Sequence, residues 1–248
     1  FDNKFIASYD GKIVNMKLIL ISPCFNAKGN LSSLIESVKA QTDDRWHHIF
    51  IDDISEDNTH DLLVSLTDND DRFTVIKNSE KKYALRNIVE AARKFQDDDV
   101  TIGVIDGDDS LCNENTVKIV LEAYENGADV VWTGHRWDIN DMNISKAMPS
   151  NVNPYQWGWC TSHFRTFRST LLKNVSDRNF QDTNNKWFER GYDQALMLPL
   201  LYQTKNRSYL DEICYLYNIE SVSVNDRDWA EQKQISTINM VRARGFLK

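Results

Sequence analysis

Lys17-Leu18-Ile19-Leu20-Ile21-Ser22 is a nearly continuous apolar run, the pattern of a strand buried on both faces. Pro23 is expected to end it. Leu31, Leu34, Ile35 and Val38 then recur at helical spacing, with Asn30 or Ser32 placed to cap the helix. The alternation repeats along the chain. Trp46 to Ile51 predicts a second strand that stops at Asp52-Asp53, followed by a helix from about Asp57 to Leu66. Phe73 to Ile76 predicts a third strand, and Tyr83 to Phe95 a helix with Leu85, Ile88, Val89 and Ala92 inward. Val100 to Ile105 predicts a fourth strand. The helix from Asn113 to Asn126 is closed by Gly127. Asp129 to Thr133 predicts a fifth strand.

Strands and helices that alternate with short connections imply parallel strands joined by right-handed crossovers. The expected class is α/β, with a Rossmann-like, mostly parallel central sheet flanked by helices. Ligands bind such sheets beyond the carboxyl ends of the strands. Three of those ends carry Pro23-Cys24-Phe25-Asn26, Asp52-Asp53 and Asp106-Gly107-Asp108-Asp109, so all three are expected to meet in one crevice. After about residue 134 the periodicity fades. Residues 135–165 form a long irregular stretch rich in Trp, Asn and His, and such stretches often carry function. Helical spacing returns from Gly191 to Tyr202, Ile213 to Tyr217 predicts a strand, and Glu231 to Arg244 a closing helix.

Composition narrows the classes. With 248 residues, 41% of them hydrophobic, and only 9 Gly and 4 Pro, the chain reads as one large domain without long flexible linkers. A formal net charge of −8 argues against a nucleic-acid partner, because phosphate binding needs basic surface. No apolar run has the length of a membrane span and no signal-peptide pattern opens the chain. Cys24, Cys112, Cys160 and Cys214 form no CxxC pair, which excludes the usual zinc spacings and suggests reduced thiols of a cytosol-like compartment. The chain opens on Phe1. Either Met16 is a native start, or residues 1–15 are a linker to an upstream domain of a larger polypeptide or a vector-derived leader.

The acidic turn after the fourth strand is the strongest chemical signal. Three neighbouring carboxylates raise one another's pKa and call for positive charge. A hard divalent ion carrying a phosphate answers that need. The alternative is a solvated acidic turn or a helix N-terminus that favours negative charge.

Taken in order, these segments resemble glycosyltransferase family 2 of the GT-A fold, whose members use nucleotide-sugar donors. Ile21-Ser22-Pro23-Cys24-Phe25-Asn26 is similar to the family's opening strand and nucleotide loop, with Phe25 where Tyr is commoner. Ile51-Asp52-Asp53-Ile54-Ser55-Glu56-Asp57-Asn58-Thr59 resembles the "DDxSxDxT" segment, in which Asp53 matches the acceptor of a nucleobase N–H. Ala84-Leu85-Arg86-Asn87 resembles the "AxxRN" helix start, one residue shorter, and implies Arg86 near the uridine. Asp106-Gly107-Asp108-Asp109 resembles the DxD element. The resemblance implies Asp108 as metal ligand, Asp106 on the ribose or the metal, Gly107 beside the nucleotide, and Mn²⁺ or Mg²⁺ as cofactor. It assigns about 16–134 to the nucleotide-sugar half and about 135–248 to the acceptor half.

In the second half, His163-Phe164-Arg165-Thr166-Phe167-Arg168 resembles the "HxRTFR" stretch of a subset of these enzymes. Gly191-Tyr192-Asp193-Gln194-Ala195-Leu196-Met197-Leu198-Pro199 resembles their "xWDQAxMLP" helix start, with Tyr192 for Trp. The wider family holds a Glu-Asp pair there, so the resemblance leaves Asp193 as the single candidate base. Its alternative is a charge that helps the helix dipole. His163 is a candidate for the diphosphate or the acceptor, or else a satisfied structural histidine. Arg165 and Arg168 are candidates for phosphate oxygens through their planar forks, or else for salt bridges. Trp157 and Trp159 flank Gly158 and are candidates to stack on sugar, whereas Trp132 ends a strand and reads as core.

The implied activity is that of a hexosyltransferase, metal-dependent and inverting. It moves a sugar from a UDP-sugar to a hydroxyl of a glycan or a protein side chain. A nucleotidyltransferase is the rival enzyme, but the first loop lacks a Gly- and Lys/Arg-rich phosphate cradle, and no GxGxxG or Walker loop is present. A catalytically inactive glycan-binding module on the same fold is the non-enzymatic rival.

Overall fold

The computed structural model describes residues 17–219 and 227–248. Residues 1–15 and Met16 lie outside them. Eight strands form one sheet: β1 (Leu18–Cys24), β2 (Trp46–Asp52), β3 (Phe73–Lys77), β4 (Thr101–Val104), β5 (Ser110–Leu111), β6 (Val130–Trp137), β7 (Arg165–Arg168) and β8 (Arg207–Tyr217). Their spatial order is β3-β2-β1-β4-β7-β6-β8-β5. The longer helices are α1 (Leu31–Lys39), α2 (Thr59–Thr67), α3 (Tyr83–Ala92), α4 (Thr116–Glu125), α5 (Tyr192–Gln203) and α6 (Arg227–Arg244).

Alternate residues of the strands feed two cores. Ile19, Ile21, Ile49, Ile51, Ile102 and Val104 pack with Leu85, Ile88 and Val89 of α3 and with Ala195 to Leu201 of α5. Leu18, Leu20 and Phe50 pack on the other face with Leu31, Leu34, Ile35 and Val38 of α1 and with Val117, Val120 and Leu121 of α4. Burial on both faces is why β1 reads as an unbroken apolar run. Gly127 closes α4 with φ +94°. Its N–H bonds to Tyr124 O at 3.0 Å and the Ala128 N–H to Ala123 O at 3.1 Å, the paired bonds of a Schellman motif.

Two expectations need correction. First, Pro23 lies inside β1, which runs on to Cys24. The last β1 residue paired with β4 is Ile21, so the missing N–H of Pro23 falls where that ladder has ended. The sheet is mostly parallel, as expected, with two antiparallel members. β7 runs antiparallel between β4 and β6, and β5 runs antiparallel to β8. β7 arrives from the irregular segment rather than through a crossover helix, so nothing forces it to be parallel. Second, Asn30 occupies the N-cap of α1 without a side-chain capping bond.

Candidate active site

The carboxyl ends of β1, β2 and β4 open into one crevice of about 470 Å³. Pro23, Phe25, Asn26, Asp53, Asp106, Gly107, Asp108, His163, Arg165 and Asp193 all line it.

The "DDxSxDxT" segment first acts as scaffold. Ser55 Oγ accepts from the Asn26 N–H at 3.0 Å, Thr59 Oγ1 from the Ala27 N–H at 2.9 Å, and Asp57 Oδ2 from the Lys28 N–H at 3.1 Å. These bonds fix the loop that presents Phe25, whose side chain stays 51% exposed and open to a ligand. Lys81 Nζ lies 2.9 Å from the centre of the Phe25 ring and donates to Asp53 O at 3.0 Å.

Asp53 is nearly buried. Oδ1 accepts from the Lys82 N–H at 2.9 Å and from Asn78 Nδ2 at 2.7 Å, and Oδ2 accepts from the Tyr83 N–H at 2.8 Å. Burial pushes its pKa up, but the donors from Lys82, Asn78, Asn87 and Tyr83 outweigh it and hold the carboxyl below its usual value. Asp53 therefore ties the start of α3 to the end of β2.

The acidic turn divides its carboxylates among three environments. Asp109 is 2% exposed, accepting from Tyr215 Oη at 2.7 Å and from the Asn218 N–H at 2.8 Å. Burial, then the charges of Asp106 and Asp108, raise its pKa well above the usual range. Asp106 faces Arg165, whose Nη2 donates to Oδ2 at 3.1 Å, and accepts from the Tyr192 hydroxyl on Oδ1. Asp108 lines the crevice. Gly107 lets the turn approach β1. A Cβ there would lie 2.8 Å from Cys24 Sγ and 3.0 Å from Pro23 O. We expect Gly107→Ala to displace Asp106 and Asp108 and to destabilise the fold by about 1–3 kcal/mol. Thermal unfolding checks the second effect and donor KM the first. Wild-type values in both would refute the close-approach argument.

Arg165 sits centrally in this site. Its side chain is 2% exposed, β7 carries it, and the same Nη2 donates to Tyr192 Oη at 2.8 Å. Asp193 follows Tyr192 in the first turn of α5. Burial raises the Asp193 pKa, and the nearby Arg165 charge offsets this only in part. His163 stacks on Tyr215 and Tyr217 with centroids 4.6 and 4.9 Å apart. Burial, with Arg165 and His135 adding to it, holds its pKa well below the usual value, so the imidazole is neutral.

Other expected site residues lie elsewhere. Arg86 pairs with Glu90 at 2.7 Å and Glu80 at 3.3 Å and does not line the crevice; the two carboxylates hold its fork on the helix surface. Trp157 and Trp159 are partly buried against the α3/α5 core rather than in the crevice. Arg242 fastens that segment by donating to Trp157 O at 2.7 Å. Arg168 points to the opposite face and binds Asp99 at 2.9 Å and the Tyr124 carbonyl at 2.7 Å. Trp132 is fully buried, with its N–H on Lys146 O. All four cysteines are free thiols.

Sequence reasoning did not single out Lys81, Tyr83, Glu189, Arg190, Tyr217 or Gln234, which also line the crevice. Lys81 and Tyr83 immediately precede the Ala84 motif, and Glu189 and Arg190 precede Asp193, so the flanks of those motifs held the signal.

The sequence profile described as Glycosyl transferase family 2 matches residues 19–198. No curated protein matches the chain. Residues 1–349 of TarS from S. aureus, solved with UDP-GlcNAc, superpose with a TM-score of 0.66 at 18% identity, over 94% of this chain and 68% of that one. A longer TarS structure gives a TM-score of 0.64 at 18% identity, over 94% of this chain and 41% of that one. The mannosyltransferase PcManGT from Pyrobaculum calidifontis, solved with GDP-Man and Mn²⁺, gives 0.62 at 11% identity, over 94% of this chain and 65% of that one. The chain belongs to glycosyl transferase family 2 and is a glycosyltransferase of the GT-A fold. Among the described residues no helix is long and apolar enough to cross a membrane.

Proposed function

We propose that the protein transfers a sugar from a UDP-sugar to an acceptor hydroxyl with inversion, using Asp193 as general base. One observation carries this reading. The acidic turn and Asp193 line the same crevice, joined through Arg165 and Tyr192. Sugar transfer needs negative charge managed at one end and a proton removed at the other. Similarity to structures that hold UDP-GlcNAc and GDP-Man supports a nucleotide-sugar donor.

Phe25 offers its ring to the base, and Asp53 has lone pairs left for a nucleobase N–H. Pro23, Asn26 and Gly107 complete the wall on the nucleotide side. Asp193 takes the acceptor proton as the hydroxyl oxygen attacks the anomeric carbon. The bond to the diphosphate breaks on the opposite face of that carbon, and the proton stays on the Asp193 carboxylate. A carboxyl with a raised pKa is better matched to this role than an ordinary one. Arg165 holds Asp106 in place.

The donor set fits a divalent cation. Ligand atoms of Asp106, Asp109 and His163 lie within 4.8 Å of one another, and Nδ1 of the neutral His163 is buried without a partner. Asp106 would hold Mn²⁺ or Mg²⁺ with Asp109 and His163 beside it, and Asp108, which lines the same crevice, would complete the set. Such an ion supplies charge stabilisation to a departing diphosphate.

The test is UDP release from a panel of UDP-sugars with Mn²⁺ present and in excess chelator. Release that needs both metal and donor is the expected result. Full release in chelator would remove the metal from the scheme. No release from any donor, with UDP still bound, would favour a glycan-binding module.

A further inference from the structure

We infer that Trp229 of α6 forms a stacking subsite for a pyranose ring of the acceptor, which makes the acceptor a carbohydrate. The inference rests on Asp193 marking the acceptor end of the crevice. The sequence placed the sugar-stacking role on Trp157 and Trp159, and both pack against the core instead. Trp46 and Trp132 are fully buried, and Trp137, Trp157, Trp159 and Trp187 are partly buried. Trp229 is the exposed one of the seven, at 56%.

A single exposed apolar side chain needs no explanation by itself. Trp229 differs because of where α6 puts it. Gln234 lines the crevice, and a Cβ on Gly191 would meet Gln234 O at 3.2 Å and Thr237 at 3.3 Å, so α6 crosses directly over the start of α5. Arg242 fastens the far half of α6 by donating to Gln194 Oε1 at 2.7 Å and to Tyr155 O at 3.0 Å. Lys233 is four residues after Trp229 and so shares its helix face. Lys233 forms an ion pair with Glu189, a crevice-lining residue, and its Nζ lies 4.8 Å from the centre of the Trp229 ring. The chain Glu189, Lys233, Trp229 therefore leads from the crevice to the indole.

The chemistry of the patch is that of a sugar site. An aromatic face carries negative charge density that attracts positively polarised C–H bonds, and one face of a pyranose is lined with them. The Glu189 carboxylate accepts from hydroxyls, the Lys233 ammonium donates to them, and the Gln234 amide does both. A flat apolar surface beside a few fixed polar groups is how ligand sites gain orientation and specificity. An extended peptide would use little of this.

The test reads glycan binding by the whole chain, loaded with UDP and Mn²⁺, on an array of hexopyranose oligosaccharides. Wild type is expected to bind a defined subset. Trp229→Ala should weaken that binding at least about tenfold, the loss of one aromatic stacking contact together with its buried area. Trp229→Phe should restore most of it. Because the side chain is exposed, Trp229→Ala should melt like wild type and show the same UDP-induced rise in Tm. Asp193→Asn on the same array separates the two readings: it should bind glycan normally even though transfer is lost. An array with no bound glycan for wild type overturns the subsite. So does Trp229→Ala binding at wild-type strength, or Trp229→Phe failing along with it.

Discussion

Replacing Asp193 with Asn is expected to lower kcat for sugar transfer by about 10²–10⁴-fold, the range over which a positioned base contributes. Asn keeps the size and most of the hydrogen bonding, so donor KM should hardly change. The pH dependence gives an independent reading. Burial raises the Asp193 pKa above that of an ordinary carboxyl, and Arg165 reverses only part of the rise. The base is protonated below that pKa, so kcat/KM should climb with pH along a limb set higher than an unperturbed Asp would give. Stability should run the other way. A carboxyl whose folded pKa is raised favours the native state in its neutral form. Its contribution is fully present below the unfolded pKa and is lost as pH rises through the folded one. Above the unfolded pKa the buried Asp193 carboxyl is thus a burden on the fold, and Asp193→Asn should melt no lower than wild type. Near wild-type turnover in Asp193→Asn, or a fall in Tm without loss of rate, would remove Asp193 from the chemistry.

The first half of the fold was legible because its strands are apolar on both faces and its helices on one. β1, β2 and β4 are almost wholly buried, so their sequences carry no alternation to misread. The second half hides its strands for identifiable reasons. β6 continues through His135, Arg136 and Trp137, yet the register with β8 shifts on both sides of Gly134, which breaks the period. β8 begins at Arg207 and passes through exposed Asp211 and Glu212, so only its end at Cys214 and Tyr215 is buried enough to read as strand. β7 has four residues, two of them Arg, in the middle of the sheet. A central strand rich in Arg has no apolar signature.

The candidate site shows the same division. Carboxylates at strand ends could be read because topology alone brings those ends together. Residues whose roles depend on packing could not. Arg86 looks like a nucleotide contact until Glu80 and Glu90 are seen to hold it. Asp109 looks equivalent to Asp106 and Asp108, but Tyr215 and Asn218 come from a strand end more than a hundred residues later and enclose it. Arg165 reads equally as a phosphate clamp or a salt-bridge partner, and only the fold shows that β7 carries it inside, where it pairs with Asp106.

That position makes Arg165 the residue whose loss should most harm the fold. Arg165→Met keeps the length and apolar stem but leaves Asp106 and the Tyr192 hydroxyl without their cation. Breaking a buried ion pair from one side typically costs about 3–5 kcal/mol. For a chain of this size that corresponds to a fall in Tm of roughly 6–20 °C. The Asp106 side chain is 20% exposed, which places the expected loss toward the lower end. Much of the penalty is the unpaired carboxylate rather than the lost bond. The double substitution Arg165→Met with Asp106→Asn should therefore recover part of the stability while transfer stays impaired. Arg165→Lys should lie between, since an ammonium restores the charge but its nitrogen sits about one bond short of the Nη2 that donates to both Asp106 and Tyr192. Thermal unfolding of the four proteins at neutral pH decides the matter. A double substitution less stable than Arg165→Met would show that the Asp106 charge is held by other groups and not by Arg165.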